Sequence, residues 1–396
     1  MPQDDILFQA LELPCGVVLK NRIAKSAMSD SLGDGTGHPT PQQNRLYQRW
    51  AQGGAAVSII GEVQGTPHHA EKPGNLVLNA AADLEKFRQL AAGARANSAQ
   101  LWAQLGHAGA LAYVPISDPV GPSALDLPGL ACRAMTCAEI RQVPQAFADT
   151  ALLAQRARLS GVQIHAAHGF LLSQFLSPLF NQRGDAYGGR IANRMRLLLE
   201  TIEAVRAAVG PAFAIAVKLN ASDQLSGGLT EDDALKVVAA LDATSVDLID
   251  ISGGTYFPGA KSASDSAGGG PYFGDFAQRA RTVTTKPLML TGGFKTRAQA
   301  HEALLSGTTD VVGLARALVL EPALPSLWRK GQRLEPAFPR FPDAPEGGIT
   351  AWYTMRLTEI GADQENDQVS DLEQAIEAYA ARDKKRTDIW RHHFGL

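Results

Sequence analysis

The sequence predicts an α/β fold, a (β/α)8 TIM barrel with an N-terminal hairpin at its lower end and a C-terminal extension. Three observations carry this expectation. Eight short apolar runs of strand length alternate with amphipathic stretches of helical period. No run is followed by Gly-x-Gly-x-x-Gly, so an open dinucleotide-binding sheet has no anchor. The last two runs end in glycine-rich turns, the second with an arginine. Barrels commonly bind phosphate at that point.

Taken in order, Leu11–Leu19, with Pro14 and Gly16, reads as the small hairpin. The strands are expected at Arg22–Ala27, Ala56–Ile60, Gln100–Leu105, Val162–His165, Ala214–Leu219, Leu248–Ile251, Leu288–Thr291 and Val311–Leu314. Helical patterns fall at Ala82–Asn97, Ala138–Arg158, Arg194–Val209, Glu231–Leu241 and Arg297–Ser306. Two connections are long. Gly109–Leu130 is Pro-rich and Gly253–Gly270 is rich in Gly and Ser, and loops of that length tend to be lids or binding loops. The barrel is complete by about Pro322. A Pro-rich connector, Glu335–Gly348, leads to a helix expected over Asp371–Arg382. The division is therefore 1–330 for the barrel and 331–396 for an extension packing on the barrel or on a neighbouring subunit, which leaves room for a homo-oligomer.

Composition narrows the function. A net charge of -3 offers neither the basic surface of a nucleic-acid binder nor that of a membrane-surface protein. No apolar run has the length of a membrane span. Cys15, Cys132 and Cys137 cannot all pair within the chain, and the acidic start M-P-Q-D-D is unlike a signal peptide. A cytoplasmic protein acting on a small molecule is the reading.

The chemistry is expected at the C-terminal ends of the strands. Met28 and Ser29 follow the first, Glu62 and Val63 the second, and Gln104 and His107 the third. The fourth ends in His165 and His168, with Phe170 just beyond. Two imidazoles there can donate to one carbonyl or anionic oxygen, bind a metal, or fill core space. Lys218 stands in an apolar strand, where a charge without a partner is costly. The sixth strand runs into Gly254. Gly292, Gly293, Gly313 and Arg316 form the expected phosphate site, although each glycine alone could simply permit a tight turn. Gln104 and Lys218 then suit the pyrimidine edge of a flavin, the lysine near atoms that become negative on reduction. A loop-capping role is the plain alternative for Gln104.

These residues sit in motifs that resemble the Old Yellow Enzyme family: L-K-N-R-I-A-K-S-A-M-S (Leu19–Ser29), Q-L-G-H-A-G (Gln104–Gly109), H-A-A-H-G-F-L-L-S-Q-F-L-S-P (His165–Pro178), N-Q-R-G-D-A-Y-G-G (Asn181–Gly189), K-L-N-A-S-D (Lys218–Asp223), T-G-G-F (Thr291–Phe294) and G-L-A-R (Gly313–Arg316). They cover roughly Ile6 to Pro325 in the family's order. The resemblance implies a barrel holding FMN without a covalent bond. NADH or NADPH reduces the flavin, which passes hydride from N5 to the β-carbon of an activated alkene. It further implies that His165 and His168 hold the substrate's carbonyl or nitro oxygen. Gln104 and Lys218 would contact the flavin pyrimidine, and Ser29 the C4 oxygen. Arg316 and Gly293 would hold the phosphate, and Ala27 and Val63 would touch the flavin through backbone.

Three departures stand out. Phe170 replaces the tyrosine that protonates the α-carbon. Lys218 replaces the commoner arginine, keeping the charge but not the fork. No cysteine follows Cys137, so the iron–sulfur cluster of longer relatives has no ligands. Without the tyrosine, water is the expected proton source, with Tyr113 and Tyr256 as competing donors from pocket loops. Tyr113, Tyr256, Phe257 and Tyr272 are candidate pocket aromatics. Two other readings stay open: a metal-dependent barrel lyase or hydrolase using His165 and His168, and a flavin-binding barrel without catalysis.

Overall fold

A computed structural model describes residues 5–257, 260, 270–332, 334–365 and 371–396. Eight parallel strands close on themselves: β1 (Ile23–Met28), β2 (Val57–Gln64), β3 (Gln100–Leu105), β4 (Gly161–Ala166), β5 (Ala214–Asn220), β6 (Leu248–Ser252), β7 (Leu288–Thr291) and β8 (Val311–Leu314). Each pairs with the next, and β8 returns to β1 with Val312 opposite Ile23. Every expected strand is present, most within a residue of its expected bounds. Strand β2 runs four residues further, to Gln64, and so carries Glu62 and Val63 inside the sheet.

The strands are buried on both faces and read as apolar runs for that reason. Around them lie α1 (Pro41–Gln52), α2 (Leu84–Gly93), α3 (Cys137–Arg156), α4 (Arg196–Val209), α5 (Glu231–Asp242), α6 (Gly274–Arg281) and α7 (Arg297–Leu305). The starts of α1, α2, α3, α5 and α7 are set by side chains that satisfy free backbone N–H groups. Thr136 and Glu139 cap α3 reciprocally, as Thr296 and Gln299 do α7. The hairpin is present, with Leu11 opposite Leu19 and Gly16 at φ +83°. Its Leu13 and Leu19 pack against Ala24, Val57, Trp102, Ala214, Leu248 and Met289. The lower end of the barrel is thereby stoppered with apolar side chains.

Two expectations change, and a third falls mostly outside the described residues. Gly109–Leu130 is more than a loop, because Val120–Gly121 and Leu125–Leu127 pair with Leu130–Ala134 in a small sheet. These strands are too short for periodicity to register. Most of the Gly- and Ser-rich stretch, residues 258–259 and 261–269, lies outside the described residues. The terminal helix extends well past Arg382. After α8 (Gly348–Gly361), α9 spans Leu372–Phe394 and stops at Gly395, φ +70°. Its second half is rich in charge and looks solvated, yet Trp390 is fully buried on one face. Helix α8 packs on α1 and on α9, and the Arg45 side chain donates to Gly361 O at 2.7 Å. Trp390 sits among Ala70, Val77 and Ile116, and Arg386 donates to Ser31 O. The extension thus packs on this chain's own barrel. Among the described residues no helix is long and apolar enough to cross a membrane.

Candidate functional site

The upper half of the barrel is polar. Lys218 on β5 lies 3.0 Å from Asp250 on β6, and both are buried. Asp250 also accepts from Gln163 Nε2 at 3.0 Å and from Thr291 Oγ1 at 2.6 Å. Gln104 Nε2 donates to Gln163 Oε1 at 2.7 Å, and Thr291 Oγ1 meets Ser26 Oγ at 2.9 Å. Six strands therefore share one hydrogen-bonded layer. It provides the partner that a buried Lys218 requires and fixes the Gln104 amide through its nitrogen.

The histidines stand above this layer at the end of β4. His168 has φ +61°, a strained value for a side chain of its size. Its N–H donates to Asn220 Oδ1 at 3.1 Å, and its carbonyl accepts from Tyr256 N at 3.1 Å. The next residue must be glycine: a Cβ at Gly169 would lie 2.2 Å from Thr255 Oγ1. These contacts hold the bend that points His168 back at His165. His165 Nε2 and His168 Nδ1 are 3.1 Å apart, and His168 Nε2 is 2.9 Å from Ser252 Oγ. Burial, with the charge of Lys218, holds both imidazoles well below their usual range, and His165 lowers His168 further. They are neutral at physiological pH, each with one N–H to give.

Behind His165 lies Glu62, its Oε1 3.0 Å from His165 Nδ1. Glu62 also has a positive φ, +62°. Burial pushes its carboxyl up to about 8 against the opposing pull of Lys218. A Cβ at Gly106 would lie 2.5 Å from Glu62 Oε2, so glycine there leaves room for the carboxyl group.

Of the pocket aromatics, Phe170 is buried with its ring 4.6 Å from that of His165. The Tyr256 ring is 5.9 Å from His168 and 6.0 Å from Phe170, and 60% of that residue is exposed at the mouth. Tyr113 is not brought to the pair. It packs toward Val77, Ile116 and Trp390, with Lys72 over its ring at 5.2 Å. Phe257 stacks on Phe180 at 3.7 Å, in packing of its own.

On the β7–β8 side, Gly292 and Gly293 have φ +112° and +87°. A Cβ at Gly293 would meet Gly270 O at 2.1 Å. Arg316 heads the short helix Ala317–Leu320 and stacks over Tyr353 of α8 at 5.0 Å. Gly313 stands inside the barrel wall instead, where a Cβ would lie 2.3 Å from Thr291 Oγ1 and 2.5 Å from Ser26 Oγ. Its absence of a side chain serves the polar layer rather than a turn. Ala27 and Met28 end β1, Ser29 follows, and Val63 is buried in β2. Gly254, φ +84°, accepts from Asn220 Nδ2 at 2.8 Å. Two successive left-handed glycines beside an arginine suit a phosphate. A buried lysine and an amide across the mouth suit the polar edge of a flat ring. This donor set fits FMN.

Sequence reasoning left Glu62, Gln163, Asp250, Ser252 and Tyr353 unassigned. The argument applied to Lys218, that a charge in an apolar strand needs a partner, would have found Asp250 in L-I-D-I-S and Glu62 in I-I-G-E-V. Nothing local marks Tyr353. Among the described residues no group of three or more His, Cys, Asp or Glu side chains is disposed to hold a metal ion. The two histidines face each other rather than a common point.

Residues 6–335 match the model of the NADH:flavin oxidoreductase / NADH oxidase family. The chain is 34% identical over 379 residues to NADH-dependent flavin oxidoreductase iliE of Neonectria sp. (strain DH2), with 86% of this chain covered. It spans about half of that relative's length, 49%. To NADPH dehydrogenase of Geobacillus thermodenitrificans it is 33% identical, covering 78% of this chain and 90% of the relative. The solved old yellow enzyme homologue from Zymomonas mobilis superposes with a TM-score of 0.73 over 85% of this chain and 97% of its own, at 24% identity, a likeness of fold.

Proposed function

The chain belongs to the NADH:flavin oxidoreductase / NADH oxidase family, with FMN as cofactor and NADH or NADPH as reductant, and on that premise we propose that it reduces the C=C bond of an activated alkene such as an enone, enal or nitroalkene. Bound FMN supplies the hydride, drawn from the nicotinamide. Gln104, Lys218 and Ser29 hold the polar edge of the ring, with backbone at Ala27, Met28, Val63 and Gly254 against it. Gly292, Gly293 and Arg316 hold the phosphate. His165 and His168 donate to the substrate's carbonyl or nitro oxygen and stabilise the charge that develops there. To do so the rings must give up their mutual contact, exchanging it for the substrate oxygen. Phe170 and Tyr256 wall the alkene, and water protonates the resulting enolate.

The observation that supports this reading most is the buried, neutral histidine pair at the strand end, held by a strained backbone over a cationic, polar barrel mouth. The test is anaerobic. FMN-loaded protein is bleached with NADH or NADPH, then offered a panel of enones, enals, maleimides and nitroalkenes. Reoxidation of the flavin with a saturated product is expected. Bleaching with no reoxidation by any of the panel would overturn it.

A further inference from the structure

Four side chains form a line across the barrel mouth, each link 3.1 Å or shorter: Glu62 to His165, His165 to His168, and His168 to Ser252. Glu62 is 3% exposed and His165 2%. Their contact is short of hydrogen-bond alignment. Among the described residues, however, His165 Nδ1 and Glu62 Oε2 have no other partner. Buried polar atoms of this kind pair with what is within reach. The proposed reduction needs N–H donors at the histidines, and a neutral imidazole has one proton for two nitrogens.

We infer that Glu62 is a positioning residue that decides which nitrogen of His165 carries the proton, and so whether His165 meets the substrate oxygen with a donor or with a lone pair. The two states follow from proton counting. With Glu62 a carboxylic acid, its O–H donates to His165 Nδ1. His165 Nε2–H then donates to His168 Nδ1, and His168 Nε2–H to Ser252 Oγ. When Glu62 loses its proton to solvent, the line holds one proton fewer and its direction reverses. His165 Nδ1–H donates to the carboxylate, His168 Nδ1–H to His165 Nε2, and the Ser252 hydroxyl to His168 Nε2. When the rings part for the substrate, His165 in the first state brings an Nε2–H to its oxygen; in the second that atom carries a lone pair, which repels a carbonyl oxygen, and His168 Nδ1–H is left to donate alone.

The groups acting on this switch lie on several elements. Lys218 on β5 favours the carboxylate of Glu62. Glu71 interacts repulsively with Glu62, and the Tyr256 hydroxyl feels both carboxyls. Asp250 on β6 and Lys218 act on His165 in opposite senses. Burial of Glu62 outweighs Lys218, and its carboxyl lies at about 8. The donating state therefore holds through neutral pH and is lost above it.

The consequence for turnover rests on the proposed alkene reduction, whereas the tautomer is a property of the chain itself. The test has two arms for that reason. In the holoenzyme labelled with 15N-histidine, the His165 ring resonances are followed from about pH 6 to about pH 10. A change from the Nε2–H to the Nδ1–H tautomer near pH 8 is expected in wild type, and none in Glu62→Gln. In the second arm, reoxidation of pre-reduced flavin by an enone is expected to fall about tenfold per pH unit above the Glu62 transition, as a single required proton dictates. Glu62→Gln removes that limb and Glu62→Asp restores it at a displaced midpoint. A single His165 tautomer across the range in wild type overturns the inference, even if Glu62→Gln does not fold. So does an unchanged alkaline limb in Glu62→Gln. A tautomer change with no enone able to reoxidise the flavin leaves the inference standing and sinks the alkene reading.

Discussion

Residue 170 decides where the last proton of the proposed reaction comes from. Its ring lies 4.6 Å from His165 and has no acidic hydrogen. Water-borne protonation predicts weak facial preference at the α-carbon. Phe170→Tyr should keep FMN and turnover and sharpen the addition toward trans, read from the configuration of an α-substituted product formed in deuterated buffer. Tyr113 is turned to the Lys72 and Trp390 side, so Tyr113→Phe should have a modest effect. Clean trans addition by wild type, abolished in Tyr256→Phe, would make that tyrosine the donor instead. The histidines carry a separate expectation. His165→Ala and His168→Ala should each retain flavin and lose about 2.7–4 kcal/mol of transition-state stabilisation, by analogy with other oxyanion donors. That is about a hundred- to a thousandfold in enone turnover. Wild-type rates in both would remove the pair from the mechanism.

Among the elements, β5 and β6 depend on each other through the Lys218–Asp250 pair, 3.0 Å apart and shut off from water. Asp250→Asn leaves a buried cation without its counter-charge and should destabilise the fold by about 3–5 kcal/mol, measured by chemical denaturation. Lys218→Met with Asp250→Leu should recover much of that loss while impairing flavin binding. A loss under about 1 kcal/mol in Asp250→Asn would show that water reaches the lysine. Strands such as these were plain in the sequence because burial on both faces makes them apolar and β-branched, as in V-Q-I-H and A-I-A-V-K-L. The positive-φ bends at Glu62 and His168 were not, since neither residue type announces a left-handed backbone. The small sheet at Val120–Ala134 was hidden by its two- to five-residue strands.

On the scale of the whole molecule, the terminal extension is bound to the working end of the barrel. Trp390 is buried beside Ile116 and Val77, Arg386 reaches Ser31, and Tyr353 lies under Arg316. Trp390→Ala should cost about 3–5 kcal/mol as a core truncation, seen as a lower denaturation midpoint. It should also weaken FMN retention, because α9 supports the loop after β1. An unchanged midpoint would mean that α9 can leave without harm to the barrel. Nothing in the sequence around Tyr353 and Trp390 says what they meet, since those partners come from distant parts of the chain.

Closure of the barrel by β8 against β1 has a consequence during synthesis. Strand β1 (Ile23–Met28) is made well before its partner β8 (Val311–Leu314), with helices α1 to α7 and strands β2 to β7 of the barrel between them. At ~5–20 residues per second that interval is tens of seconds. Throughout it, one edge of I-A-K-S-A-M exposes unpaired backbone to every other nascent chain nearby. Lys25, which in the finished protein lies 4.4 Å over the Trp50 ring and donates to Ser26 O at 2.8 Å, places a charge in the middle of that edge. A cation there discourages strand addition by neighbours.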